Sequence, residues 1–223
     1  MGYIHASAGL KKIRHAVMLD IAAFGIIVLM AALMLFIEFK KRLSGMPAEM
    51  EGTLLVIAFF MTLAPIVLML LSLFVQLRGL RLAAKDEASF KIAYILNLIV
   101  IAASGVTSFL SMRNIGTDIL GSVSNVISEI SQMVVMMLVF RGALNLFSKE
   151  GQTDYVKQTK TTIALIVVVY LLSTVTSVIP NFFGKTGGSG LISILCQLGS
   201  AVLHLIVLNS YIGFLGEASK KLG

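Results

Sequence analysis

The stretch GTLLVIAFFMTLAPIVLMLLSLFVQL, which runs from Gly52 to Leu77, contains no charged side chain. As an α-helix it is long enough to cross the roughly 30 Å hydrocarbon core of a bilayer. Charged residues make up 13% of the 223-residue chain and hydrophobic residues 57%. Soluble domains carry about 25% charged residues, so the composition predicts an integral membrane protein.

Five further segments of the chain resemble this one in length and apolar character. The six predicted spans lie at about 16–37, 53–77, 92–112, 119–141, 161–183 and 190–214. The polar stretches between them are too short to fold alone. We therefore predict an all-α fold, a six-transmembrane-helix bundle that forms one domain over residues 1–223.

The basic residues predict the orientation of this bundle. If the N-terminus is cytoplasmic, 13 of the 18 Lys and Arg residues lie inside, and five lie outside: Lys40, Lys41, Arg42, Arg113 and Lys185. The positive-inside rule then places both termini in the cytoplasm, and we expect a bacterial cytoplasmic membrane. The net charge of +7 is thus an orientation signal. The expected partner is the lipid bilayer, and no nucleic-acid partner is needed to explain the charge.

The inner connections show signs of a repeated helical hairpin. Arg78-Gly79 begins the connection after span two, and Arg141-Gly142 begins the one after span four. Val-Thr-Ser also recurs, at 106–108 and 175–177. The offset drifts from 63 to 69 residues, so a duplication would require insertions. The sequence leaves two interpretations open: a parallel repeat, or the Arg and Lys content common to inner loops.

Span four carries a ladder of polar residues on one helical face. Their spacing of three and four residues aligns them along the helix: Asp118, Ser122, Asn125, Glu129 and Gln132. Glu129 lies roughly 16 Å below Asp118 by helix rise, near the membrane midplane. A carboxylate at that depth costs roughly 2.5–3.5 kcal/mol on insertion scales. The ladder is therefore our first candidate for a binding or transport site.

Each carboxylate of the ladder has two interpretations. Asp118 stands at the first turn of span four, where capping of the helix N-terminus is the favoured role. Glu129, flanked by Asn125 and Gln132, would bind a proton or a cation. Alternatively, Glu129 would hydrogen-bond a neighbouring helix and serve only the structure.

Span six carries a second polar face that includes Gln197 and His204. His204 should lie near the depth of Glu129, because spans four and six run in the same direction. A contact between Glu129 and His204 would form a proton relay. A histidine that only bonds a neighbouring helix is the alternative. Asp20, by contrast, is expected one turn into span one, near the interface, where it would reach water or pair with Arg14.

The motifs of common enzymes are missing from the sequence. It has no His-Glu-x-x-His and no Gly-x-Ser-x-Gly, and it contains a single cysteine, Cys196. We therefore expect neither an enzyme, nor a metal site, nor a cofactor.

Two classes of function remain. The leading hypothesis is a small transport or channel protein whose solute or ion site lies on spans four and six. It predicts that Glu129→Gln abolishes flux. The alternative is a non-catalytic membrane subunit, scaffold or regulator, in which the polar ladders hold helices, protomers of a homo-oligomer or a partner subunit together. This class includes an oligomeric membrane effector and the substrate-binding subunit of an importer. In size, span number and topology the chain is similar to the substrate-binding subunits of energy-coupling-factor vitamin importers, although span one lacks a clear run of alanines at helical spacing of the kind that those subunits use for docking.

Overall fold

The computed structural model consists of six long α-helices and their connections. The helices are α1 (Ile4–Ser44), α2 (Ala48–Ala83), α3 (Ala88–Met112), α4 (Thr117–Lys149), α5 (Thr153–Phe183) and α6 (Ser189–Lys221). The structure describes the backbone of residues 2–44, 48–112, 117–183 and 189–223. It describes side chains over 2–30, 32–33, 57, 59–107, 109, 127–152, 155–157, 159–172, 199–200 and 202–223.

The all-α prediction is confirmed for the described backbone, which contains no strand. Each helix includes a stretch long and apolar enough to cross a membrane, so the fold is compatible with an integral membrane protein that has six spans. The helices extend beyond the predicted spans. The two inner connections shrink to residues 84–87 and 150–152, because the flanking segments continue as helix.

The helices form a closed ring in chain order. The closest partners are α1 with α2, α3 with α4, and α5 with α6, and α6 returns to pack against α1. The chain thus consists of three helical hairpins around a common centre. This arrangement is compatible with a hairpin duplication, which stays a prediction.

Both termini lie at the same end of the ring, which we refer to as the terminal end. The Ser7 hydroxyl donates to the Ser219 carbonyl at 2.6 Å and thereby joins α1 to α6. The Asp86 carboxylate accepts a 2.6 Å hydrogen bond from the Ala6 N–H, which satisfies one of the unpaired donors in the first turn of α1. These bonds hold the connection 84–87 and both chain ends together.

The terminal end is closely packed. A Cβ on Gly9 would lie 2.6 Å from the Gly79 carbonyl oxygen, and one on Gly79 would lie 2.8 Å from the Gly9 oxygen. Helices α1 and α2 can cross this closely only because both residues lack a side chain, as is common in membrane helices. Phe140 packs against Tyr211 and Phe214, with ring centroids 5.2 and 4.6 Å apart, and closes the centre of the ring. We call Phe140, Tyr211 and Phe214 the aromatic core.

The connection between α4 and α5 is a tight reversal centred on Gly151. This glycine has a φ of +77°, a left-handed conformation that residues with a Cβ rarely adopt. The Gln152 N–H donates to the Phe147 carbonyl at 3.0 Å and the Gly151 N–H to the Ser148 carbonyl at 3.1 Å. This pair of bonds is the Schellman motif, which ends α4 at Lys149 and lets α5 begin at Thr153.

Candidate functional site

A cavity of about 460 Å³ lies inside the ring, beyond the aromatic core. All six helices line it. By helix rise, its polar lining residues lie roughly 10–26 Å from the terminal ends of their helices, so the cavity falls at mid-depth if the ring spans a bilayer. Its volume is within the range of about 300–1,000 Å³ typical of small-molecule sites.

Each helix contributes at least one polar side chain to the cavity wall. They are Asp20 from α1, Ser72 and Gln76 from α2, Asn97 from α3, Ser131 and Gln132 from α4, Tyr170 from α5, and His204 and Tyr211 from α6. The remaining lining residues are apolar, among them Phe24 and Ile66. An apolar wall with a few polar groups is typical of small-molecule binding sites.

Asp20 is the carboxylate of this cavity. Helix α1 begins at Ile4 rather than near residue 16, so Asp20 lies more than about four turns along the helix. The Ser72 hydroxyl is close enough to interact with the Asp20 carboxylate, whereas the Arg14 guanidinium lies beside Gly216 of α6. Asp20 therefore lines the cavity, a role that the sequence did not predict, and its depth relative to the membrane interface stays a prediction.

Three rings form a continuous wall beside Asp20, and we call them the aromatic wall. Phe24 follows Asp20 by one helical turn, and its ring centroid lies 5.4 Å from that of His204. The Tyr170 ring lies 5.8 Å from His204 on the other side. Helices α1, α5 and α6 thus meet through Phe24, Tyr170 and His204.

Glu129 reaches this wall through Tyr170. The Tyr170 hydroxyl donates to the Glu129 main-chain carbonyl at 3.0 Å, and the Glu129 carboxylate is close enough to interact with it electrostatically. Tyr170 therefore contacts both residues of the predicted Glu129–His204 pair. The described wall of the cavity includes Ser131 and Gln132 from this part of α4, but not Glu129. The proton relay stays a prediction.

The other predicted site residues divide into two groups. Gln132 and His204 both line the cavity, so the structure brings α4 and α6 together as the two polar ladders suggested. Asp118, Ser122, Asn125 and Gln197 belong to α4 and α6, but their side chains lie outside the described residues.

Asn97 provides an unpaired donor in the cavity wall. Its side-chain nitrogen is buried and has no hydrogen-bond partner among the described residues. A buried polar group without a partner costs about 1–3 kcal/mol. A ligand or water with an acceptor oxygen would remove that cost. Asn97 therefore favours a hydrogen-bond acceptor, from a ligand or from water, at this position of the cavity.

Sequence reasoning underestimated Asp20 and assigned no site role to Asn97 or Tyr170. The signal for Asp20 was present, since a carboxylate inside an apolar stretch is costly wherever it occurs. For Asn97 and Tyr170, the deciding observation is that side chains from different helices converge, and helical spacing in one span cannot show this.

The described residues contain no group of three or more His, Cys, Asp or Glu side chains that could hold a metal ion. No family model, no curated protein and no solved structure matches this chain.

Proposed function

We propose that this chain is a small transport protein of the bacterial cytoplasmic membrane, with both termini in the cytoplasm, and that the cavity at mid-depth is its solute site. The observation that carries the proposal is the convergence of polar side chains from all six helices on one cavity. Polar groups inside a membrane are costly, and they commonly mark substrate or ion pathways.

The orientation follows from where the basic residues lie along the helices. Lys11, Lys12, Lys220 and Lys221 are close to the chain ends in α1 and α6, whereas Lys40 and Lys41 are at the opposite end of α1. The excess of basic residues at the terminal end supports a cytoplasmic location for it. Cysteines introduced at Lys12 and at Lys41, in a Cys196→Ser background, test this: an impermeant maleimide added to intact cells should label only the second.

Transport is tested by filling the cavity. Ser131→Phe inserts a ring into the cavity wall, while Ser148→Phe adds the same ring at an exposed position of the same helix. Proteoliposomes would be incubated with a defined mixture of amines, amino acids, nucleosides and organic acids, and the accumulated solutes measured by mass spectrometry. We expect uptake by the parent and by Ser148→Phe, and none by Ser131→Phe. Uptake no greater than in empty liposomes would contradict transport, and equal uptake by all three proteins above that level would contradict the cavity as its site.

A non-transporting membrane subunit is the second candidate, and the hydrogen bonds between helices support it. Ser72 donates to the Ala16 carbonyl at 3.0 Å, and Tyr170 bonds the Glu129 carbonyl, so two polar side chains of the cavity region join neighbouring helices. In this case the polar groups hold the ring or an assembly together. Glu129→Gln separates the candidates: reduced uptake with unchanged melting and native mass supports transport, whereas a changed oligomer supports the subunit.

A further inference from the structure

We infer that the cavity accepts a small organic cation, an ammonium group on an apolar body, with Asp20 as its counter-ion and the aromatic wall beside it. This inference rests on the proposed function and narrows it to a class of substrate.

The charge of the cavity is the first argument. Among the described residues that line it, Asp20 is the only carboxylate, and neither Lys nor Arg is present. Carboxylates at membrane depth usually pair with an opposite charge, and some act as counter-ions of a ligand. A cation in the cavity would supply the positive charge that the described wall lacks.

The hydrogen bonds around Asp20 are the second argument. The Ser72 hydroxyl is close enough to interact with the Asp20 carboxylate, but it donates its hydrogen bond to the Ala16 carbonyl at 3.0 Å. A hydroxyl carries one hydrogen, so Ser72 cannot donate to both acceptors at the same time. The carboxylate therefore has capacity for a further donor from inside the cavity, and an ammonium group is such a donor.

The rest of the wall favours an organic cation over a metal ion. Calcium takes six to eight oxygen ligands, and magnesium needs nearly octahedral geometry. Here one carboxylate stands beside Phe24 and the apolar residues Ile66 and Met69. Aromatic faces within about 6 Å attract ammonium groups, most strongly when both are removed from water. The cavity volume of about 460 Å³ leaves room for the apolar body.

The test compares two probes of nearly the same shape. Benzyldimethylammonium carries a positive charge and one N–H donor, and isobutylbenzene has a carbon in place of its nitrogen. Binding would be measured by equilibrium dialysis on the full-length protein in phosphatidylglycerol nanodiscs. We expect saturable binding of the cation and at least tenfold weaker binding of the neutral probe, since the charge pair is formed away from water. Asp20→Asn should weaken cation binding at least tenfold, while Glu150→Gln, the same change in the connection between α4 and α5, should not.

A second variant covers the case in which Asp20→Asn fails to fold. Phe24→Leu keeps the carboxylate but removes the ring, and it should weaken binding of the cation about two- to thirtyfold and change binding of the neutral probe less. Equal binding of both probes, preference for phenylacetate, or no cation binding would overturn the inference. Uptake blocked by Ser131→Phe would then still stand, so the substrate class can fail without the proposed function. Competition by added phosphatidylethanolamine would identify a lipid head group as the source of the cation, and its absence a free solute.

Discussion

The terminal end and the cavity are built from the same six helices in opposite ways. At the terminal end the helices approach until a Cβ has no room on Gly9 or Gly79, and the three rings of the aromatic core are buried against one another. Farther along the same helices, polar side chains surround open volume. The contrast indicates that one end of the ring fixes the positions of the helices so that the middle can remain hollow.

The largest effect is expected where α1 and α2 cross at Gly9 and Gly79. Gly9→Val would force α1 away from Gly79 and Ala83, whereas Gly25→Val, on the same helix, meets no atom within 4 Å. We expect the first to lower the free energy of unfolding by about 3 kcal/mol or more, and the second to have little effect. Melting of the purified proteins followed by circular dichroism measures the difference. Equal melting temperatures for the two variants would show that the close contact between Gly9 and Gly79 does not stabilise the fold.

The fold was more predictable from sequence than the site. Uncharged runs such as 52–77 determine the number of helices, because the length of a span and the cost of charge in lipid leave few alternatives. The ends of the helices were less predictable. Helix α1 begins at Ile4 and includes Lys11 and Lys12, because the helix extends beyond the apolar run of its span. The position of Asp20 in the cavity wall was not predicted, because it depends on how α1 packs against the other helices.

A residue of the site was predictable only where the sequence of a single helix identifies it. Gln132 and His204 were found because each is polar within an apolar span. The contribution of Tyr170 depends on α4, α5 and α6 meeting at one depth, which no single span encodes. The same limit applies to the unpaired Asn97, since burial without a partner is a property of the packed ring.

A substitution at Asn97, in the cavity wall, is expected to increase the stability of the protein rather than to lower it. Asn97→Leu removes a buried donor that has no partner among the described residues. We expect it to raise the free energy of unfolding of the ligand-free protein by about 1–2 kcal/mol. Gln132→Leu, which alters an exposed amide on the same cavity, should change stability less. A decrease in stability for Asn97→Leu would mean that an ordered water or ligand occupies this position.

A smaller effect is expected at Tyr170. Tyr170→Phe removes the hydrogen bond to the Glu129 carbonyl and keeps the ring against His204. Hydrogen bonds between membrane helices contribute about 0.6 kcal/mol on average, so the melting temperature should fall only slightly. If transport depends on this bond, uptake falls far more than stability does. A proportional loss of both would favour the structural role.

The smallest effect is expected at the terminal end, outside the spans, where Glu87 joins the connection 84–87 to α4. Its carboxylate accepts hydrogen bonds from Lys149 at 2.7 Å and Asn145 at 2.9 Å. Partial burial raises the pKa of Glu87, but these donors outweigh it and the net pKa lies below the ordinary value of 4.5. A carboxyl whose pKa is lowered by folding stabilises the folded state above its unfolded pKa, and this contribution is lost as the pH falls through the folded pKa.

Glu87→Gln should therefore lower the melting temperature slightly at pH 7, and the difference from the parent should shrink as the pH falls below about 4.5. Glu150→Gln serves as the matched control, because the Glu150 carboxylate accepts a hydrogen bond from the Gln152 amide within the second connection and, among the described residues, pairs with no basic side chain. A difference that persists at low pH would assign the effect of Glu87 to packing rather than to charge. In that case the ion pair of Glu87 with Lys149 would add little to the close packing and the hydrogen bonds that join the helices at the terminal end.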